Sequence, residues 1–131
     1  MPFFHKANNE PESPRYGEGI PIEKRRMEAQ QVLEKYKYQR IPVIVERAKS
    51  AKSMPLLNKK KYLVPEDMTY AQFLHVIRKR IRLSPEETIF LFINNVQPPS
   101  GQSLGSLYNE HKDADDFLKA VYSNENAFGS M

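Results

Sequence analysis

Between Thr69 and Ile81 the chain reads Thr-Tyr-Ala-Gln-Phe-Leu-His-Val-Ile-Arg-Lys-Arg-Ile, and no other stretch constrains the fold as much. Thr69 followed three residues later by Gln72 is a capping box, in which each side chain satisfies a backbone N–H that the first helical turn leaves unpaired. Behind it Tyr70, Phe73, Leu74, Ile77 and Ile81 stand at i, i+3, i+4, i+7 and i+11, one apolar stripe of a helix. Arg78, Lys79, Arg80 and Arg82 occupy the other side. Such a stripe must be buried against a second layer, and the rest of the chain has to supply it.

It supplies strands. Ile41-Pro42-Val43-Ile44-Val45-Glu46-Arg47 is short and β-branched, and Lys61-Tyr62-Leu63-Val64-Pro65 follows after a loop over residues 48–58. A proline carries no N–H, so Pro42 and Pro65 mark ladders that are incomplete or lie at an edge. Thr88-Ile89-Phe90-Leu91-Phe92-Ile93 is apolar on both faces, the pattern expected of a central strand. Asn94-Asn95 turns the chain, residues 103–109 suit a short helical turn, and Phe117–Tyr122 forms the last strand. A charged amphipathic helix over about 23–36 precedes all of this. The order of strand, strand, helix, strand, short helix, strand predicts an α+β ubiquitin-like β-grasp, a four-stranded sheet crossed by one long helix with an N-terminal helical extension. Residues 1–20, rich in proline and glycine, are expected to be a flexible arm, 21–123 the domain, and 124–131 a flexible tail.

The chemistry that is missing narrows the function. A chain of 131 residues without cysteine has no disulfide, thiolate metal site or catalytic thiol. His5, His75 and His111 are far apart, without ligand-spaced partners, and the carboxylates of residues 113–116 lack calcium-loop spacing and read as a solvated turn. There is no phosphate-binding glycine loop and no nucleophile–histidine signature, so neither an enzyme nor a metal or cofactor is expected. The longest apolar run, residues 89–93, is too short for a membrane span, and Pro2 stands where myristoylation needs glycine. A soluble intracellular domain is the expectation. Charge is polarised: residues 1–82 hold 18 Lys/Arg against 9 Asp/Glu, and residues 83–131 hold 2 against 7, or +9 and −5. That split suits a partner bearing acidic groups.

Particular residues carry a resemblance. Pro21-Ile22-Glu23-Lys24-Arg25-Arg26, Arg40-Ile41-Pro42-Val43-Ile44-Val45-Glu46, Lys59-Lys60-Lys61-Tyr62-Leu63-Val64-Pro65, Phe73 with Ile77-Arg78-Lys79-Arg80-Ile81, Phe90–Asn95, Leu107-Tyr108, Ala120-Val121-Tyr122-Ser123 and Phe128-Gly129 are similar to the autophagy-related ubiquitin-like modifiers. This is the family of autophagy-related protein 8, the GABA-A-receptor-associated protein and the microtubule-associated light chain, and the resemblance covers about residues 21–129. It implies two linked activities. A dedicated cysteine protease would cleave after Gly129, removing Ser130-Met131, and activating and conjugating enzymes would pass the glycine as thioesters to phosphatidylethanolamine on autophagosomal membranes. Glycine leaves the reacting carboxyl unhindered, with Phe128 as the apolar handle before it. Residues 1–20 do not match the family's usual N-terminal helix.

The second implied activity is docking of receptors and adaptors that carry an aromatic-x-x-aliphatic motif, added as an extra strand to a sheet edge. The resemblance places the aromatic side chain in a pocket of Glu28, Val32, Pro42, Lys61, Leu63 and Phe117. The aliphatic one would enter a second pocket of Tyr62, Val64, Pro65, Met68, Phe73 and Val76. Arg40, Lys59, Lys61 and Arg80 would steer flanking acidic residues. Val32 and Val76 stand where bulkier aliphatics are common, and the 36–40 connection is one residue longer than usual. The cytoplasm, autophagosome and cytoplasmic vesicles are the implied location. Two other readings stand beside this one: a peptide-binding trafficking adaptor that is never lipidated, and a basic nucleic-acid-binding domain built on Arg78-Lys79-Arg80-x-Arg82 and Lys59-Lys60-Lys61.

Overall fold

The structure is a computed structural model and describes residues 15–126; Phe128 and Gly129, on which the processing expectation falls, lie outside the described residues. Among the described residues seven elements follow one another: α1 (Ile22–Lys35), β1 (Arg40–Arg47), β2 (Lys61–Pro65), α2 (Tyr70–Ile81), β3 (Phe90–Ile93), α3 (Leu104–His111) and β4 (Leu118–Ser123). The strands form one mixed sheet in the order β2-β1-β4-β3, antiparallel except for the central β1–β4 pair. This is the α+β ubiquitin-like arrangement that the sequence predicts.

The capping box forms as its spacing requires. Thr69 Oγ1 accepts from the Gln72 amide at 3.2 Å and Gln72 Oε1 accepts from the Thr69 amide at 2.9 Å. Tyr70, Phe73, Ile77 and Ile81 are buried by α2, and each apolar side chain so buried contributes about 1.5–3 kcal/mol. They meet Ile41, Val43 and Val45 of β1, Leu118 and Ala120 of β4, and Leu91 and Ile93 of β3 in the main core. Alternation along β1 sends Ile44 to the opposite face, where it packs with Ala29 of α1 and Phe117. The sheet is therefore clothed on both faces, and β1 is buried along nearly its whole length.

Three expectations change. Strand β3 is at an edge, not the centre, although Leu91, Phe92 and Ile93 are all buried. A continuous apolar run reports covering on both faces, and says nothing about neighbours in the plane of the sheet. The carboxylate cluster is not simply a solvated turn: Asp115 is 1% exposed, accepts from the Phe117 amide at 3.1 Å and pairs with Arg25 at 3.2 Å and Lys119 at 3.1 Å. Arg25 lies ninety positions away in sequence, out of reach of local pattern reading. The third helix is also longer than one turn, running eight residues from a Ser103 cap.

Pro42 shows how an interior strand tolerates proline. The Val45 amide donates across to the Lys60 carbonyl at 2.8 Å, so Val43 and Ile41 share that direction and the Pro42 nitrogen faces away from β2. On that side pairing with β4 begins only at Val43–Leu118, so no ladder donor is missed. Asn94 and Asn95, with φ of 52° and 64°, make the tight turn after β3 in the left-handed region that asparagine tolerates.

Candidate functional site

Among the described residues strand β2 pairs with β1 alone, and its other margin is left open. Because Lys60, Tyr62 and Val64 direct their backbone groups toward β1, the N–H and C=O of Lys61 and Leu63 point to the open side. Pro65 has no N–H and ends the available ladder. Side chains alternate as well: Tyr62 and Val64 are 8% and 4% exposed against α2, whereas Leu63 is 39% exposed. An edge with two usable residues and apolar side chains to either side is a template for one short added strand.

A hollow of about 440 Å³ lies across this edge. From α1 it takes Glu28 and Val32, from β1 Pro42, and from the approach to β4 Phe117; these surround Lys61 and Leu63 on one side of β2. On the other side Tyr62, Val64 and Pro65 meet Met68, Phe73 and Val76 from the start and face of α2. The twelve side chains assigned by resemblance to two pockets thus line one continuous cavity, straddling the strand, with Lys59 and Arg80 also in its wall. Arg40 is not there. It lines a neighbouring depression with Tyr36, Gln39, Glu66 and Asp67, its guanidinium 5.7 Å from the centre of the Tyr36 ring.

The rim is charged and the floor apolar. Lys61 Nζ reaches Glu28 Oε2 at 2.6 Å, bridging β2 to α1 on the rim of the cavity. Lys59 Nζ and the Arg80 guanidinium sit 5.5 and 5.4 Å from the Tyr62 ring centre, cations held by the ring's negative face. Tyr62 meets Phe73 edge-on at 6.4 Å, and burial pushes its phenol above the ordinary tyrosine value against the opposing pull of Arg80. Its buried hydroxyl has no hydrogen-bond partner among the described residues. The cavity thus combines apolar volume, two outward-facing backbone pairs and positive charge at its rim. Among the described residues no group of three or more His, Cys, Asp or Glu could hold a metal ion.

Two residues that matter to this site escape a reading of the sequence. Asp115 fixes the backbone beside Phe117, as described above. Tyr16 comes from the segment expected to be an arm, and its ring packs edge-on against Phe117 with centroids 5.2 Å apart. A lone aromatic among glycines and prolines gives no periodic signal by which to find it.

Comparison with known proteins agrees with the resemblance. The family described as "Autophagy protein Atg8 ubiquitin like" matches residues 24–129. Autophagy-related protein 8d of Arabidopsis thaliana is 53% identical over 109 residues, 83% of this chain and 89% of the relative. The autophagy-related protein 8 of Vanderwaltozyma polyspora and that of Penicillium rubens are each 50% identical over 111 residues, covering 85% of this chain and 92% of the relative. With the ubiquitin-like sheet and its open β2 edge, this likeness across most of the chain shows that the protein belongs to the Atg8 family of autophagy-related ubiquitin-like proteins.

Proposed function

We propose that this protein is a modifier and adaptor of autophagosomal membranes rather than a catalyst. In this reading it is cleaved after Gly129, joined through that glycine to phosphatidylethanolamine, and used there to gather receptors bearing aromatic-x-x-aliphatic motifs. The observation that carries the docking half is the open β2 margin with an apolar hollow on both of its sides. A motif laid antiparallel or parallel to β2 would exchange hydrogen bonds with Lys61 and Leu63 and send alternate side chains to the two ends of the cavity. Acidic residues beside the motif would meet Lys59, Lys61 and Arg80, which favours fast encounter and correct register more than raw affinity.

The lipid half rests on Phe128-Gly129 standing where the family match ends. In the last step the ethanolamine amine would attack the Gly129 thioester, an amide would form, and the enzyme's thiol would leave. Two acyl chains would then hold the protein stably, since each buried CH₂ contributes about 0.8 kcal/mol and a single chain binds only marginally. No helix among the described residues is long and apolar enough to cross a membrane, so an attached lipid would supply what the helices do not.

Incubation with the family's cysteine protease tests the proposal by mass: loss of Ser130-Met131 is expected, and an intact chain would count against it. Gly129→Ala separates a lipidated modifier from an unlipidated trafficking adaptor, because only the former loses its membrane-bound pool. The nucleic-acid reading gains nothing from the geometry: Arg78 donates to the carbonyls of Ser84, Pro85 and Glu87, and Lys61 is engaged with Glu28.

A further inference from the structure

Residues 15–20 form a short strap before α1 that lies against the body of the protein. Its turns close through bonds from the Glu18 amide to the Arg15 carbonyl and from the Ile20 amide to the Gly17 carbonyl, both 3.1 Å. The strap is tied down at Glu46, whose Oε2 accepts from the Tyr16 amide at 3.0 Å and lies 3.8 Å from the Arg15 guanidinium. Gly17 adopts φ +93°, a conformation in which any other L residue would be strained, as the strap passes the Arg25 side chain.

Tyr16 does not line the cavity, but it touches two groups that do. Its ring meets Phe117 edge-on, and the Lys61 ammonium lies 5.2 Å above it. Phe117 is 3% exposed; Ala29 and Ile44 pack with it, and Tyr16 is the partly buried ring set against that cluster. The Lys61 ammonium is at the same time 2.6 Å from Glu28, so its place on the rim is set from two directions. The Tyr16 hydroxyl is buried and has no hydrogen-bond partner among the described residues, which leaves the ring contacts as what its side chain contributes.

We infer that Tyr16 is a positioning residue for the aromatic end of the docking cavity: by holding the Phe117 ring and the Lys61 ammonium, the 15–20 strap sets which aromatic anchor the cavity accepts. This rests on the docking function proposed above. With Tyr16 in place the Phe117 wall is fixed before any partner arrives, and a preformed wall spares the ordering cost of binding. Without it the Phe117 ring has room to retreat. A phenyl anchor then loses its contact, while a larger indole still fills the space.

The test uses the full chain and two synthetic acidic peptides, Trp-x-x-Leu and Phe-x-x-Leu, with Trp-x-x-Val to report on the aliphatic end. Tyr16→Ala should weaken the phenylalanine peptide by about 10-fold and the tryptophan peptide by no more than about 3-fold, the scale of one aromatic pair. Tyr16→Phe keeps the ring and should restore the original ratio. The leucine-to-valine difference should be the same in every variant, a result that general loosening of the fold would not give. If the unaltered chain binds none of the peptides, the docking function falls and the role of Tyr16 with it. If the unaltered chain binds but the aromatic ratio moves by less than about twofold, or the aliphatic difference moves equally, the positioning role alone is overturned.

Discussion

Replacing Asp115 by alanine should be among the most damaging single changes away from the apolar core. The carboxylate is 1% exposed, with one oxygen taken by the Phe117 amide and the other shared by Arg25 and Lys119. Removing it strands a buried N–H and takes the carboxylate from Arg25, while Lys119 keeps Asp113 at 2.9 Å. Breaking a buried pair costs about 3–5 kcal/mol in general. Here the Arg25 and Lys119 side chains keep 20% and 30% of their exposure, so water recovers part of that, and the expected loss is about 2–4 kcal/mol. For a domain of this size that lowers the melting temperature by about 8–16 °C. Asp115→Asn keeps an oxygen for the Phe117 amide but not the charge, and should fall in between. Urea unfolding followed by circular dichroism reads both variants. A loss below about 0.5 kcal/mol for Asp115→Ala would place this pair with ordinary surface ion pairs and refute the reasoning.

Other perturbations have equally definite outcomes. The Tyr122 hydroxyl donates to the Pro55 carbonyl at 2.7 Å and accepts from the Leu57 amide at 3.1 Å, so Tyr122→Phe should cost about 1–2 kcal/mol and speed proteolysis within residues 48–58. Thr69→Ala removes half of the capping box and should cost about 1 kcal/mol by thermal melting, with Thr69→Ser restoring most of it. At alkaline pH the phenols matter. Burial raises Tyr16 and Tyr108 to about 12 and also raises Tyr62 and Tyr70, whereas an unfolded tyrosine titrates near 10. A folded value above the unfolded one means stability that is complete below about pH 10 and is lost as pH climbs through about 12. The share of the tyrosinate absorbance that comes from these four phenols should therefore rise late and together with unfolding; titration of every phenol in one smooth step near pH 10 with the fold intact would contradict it.

How far the sequence reaches can be judged residue by residue. Helix α2 was legible because its capping box and its stripe are local, each decided within a turn or two of chain. The β2 edge was legible through Pro65 and the alternation of Lys61 to Val64, which a two-residue period carries without knowledge of neighbours. The place of β3 was not, because order across a sheet depends on which strands meet, and the hydrophobicity of a strand is silent on that. Asp115 and Tyr16 were hidden for the same reason: their partners Arg25 and Phe117 are about ninety to a hundred positions away, and a carboxylate or a phenol has no pattern that announces burial. Arg40 follows the strand into the neighbouring depression, where the Tyr36 ring holds it, and charge in the sequence carried no sign of that direction.

Backbone amide exchange at β2 addresses the docking edge most directly. In the free protein the Lys61 and Leu63 amides face the open margin and should exchange rapidly, while Tyr62 and Val64 are protected by β1. Adding a saturating acidic Trp-x-x-Leu peptide should slow exchange at Lys61 and Leu63 together and leave the opposite edge at β3 unchanged. Unaltered exchange at both amides, or protection appearing at β3 instead, would contradict strand addition at this edge.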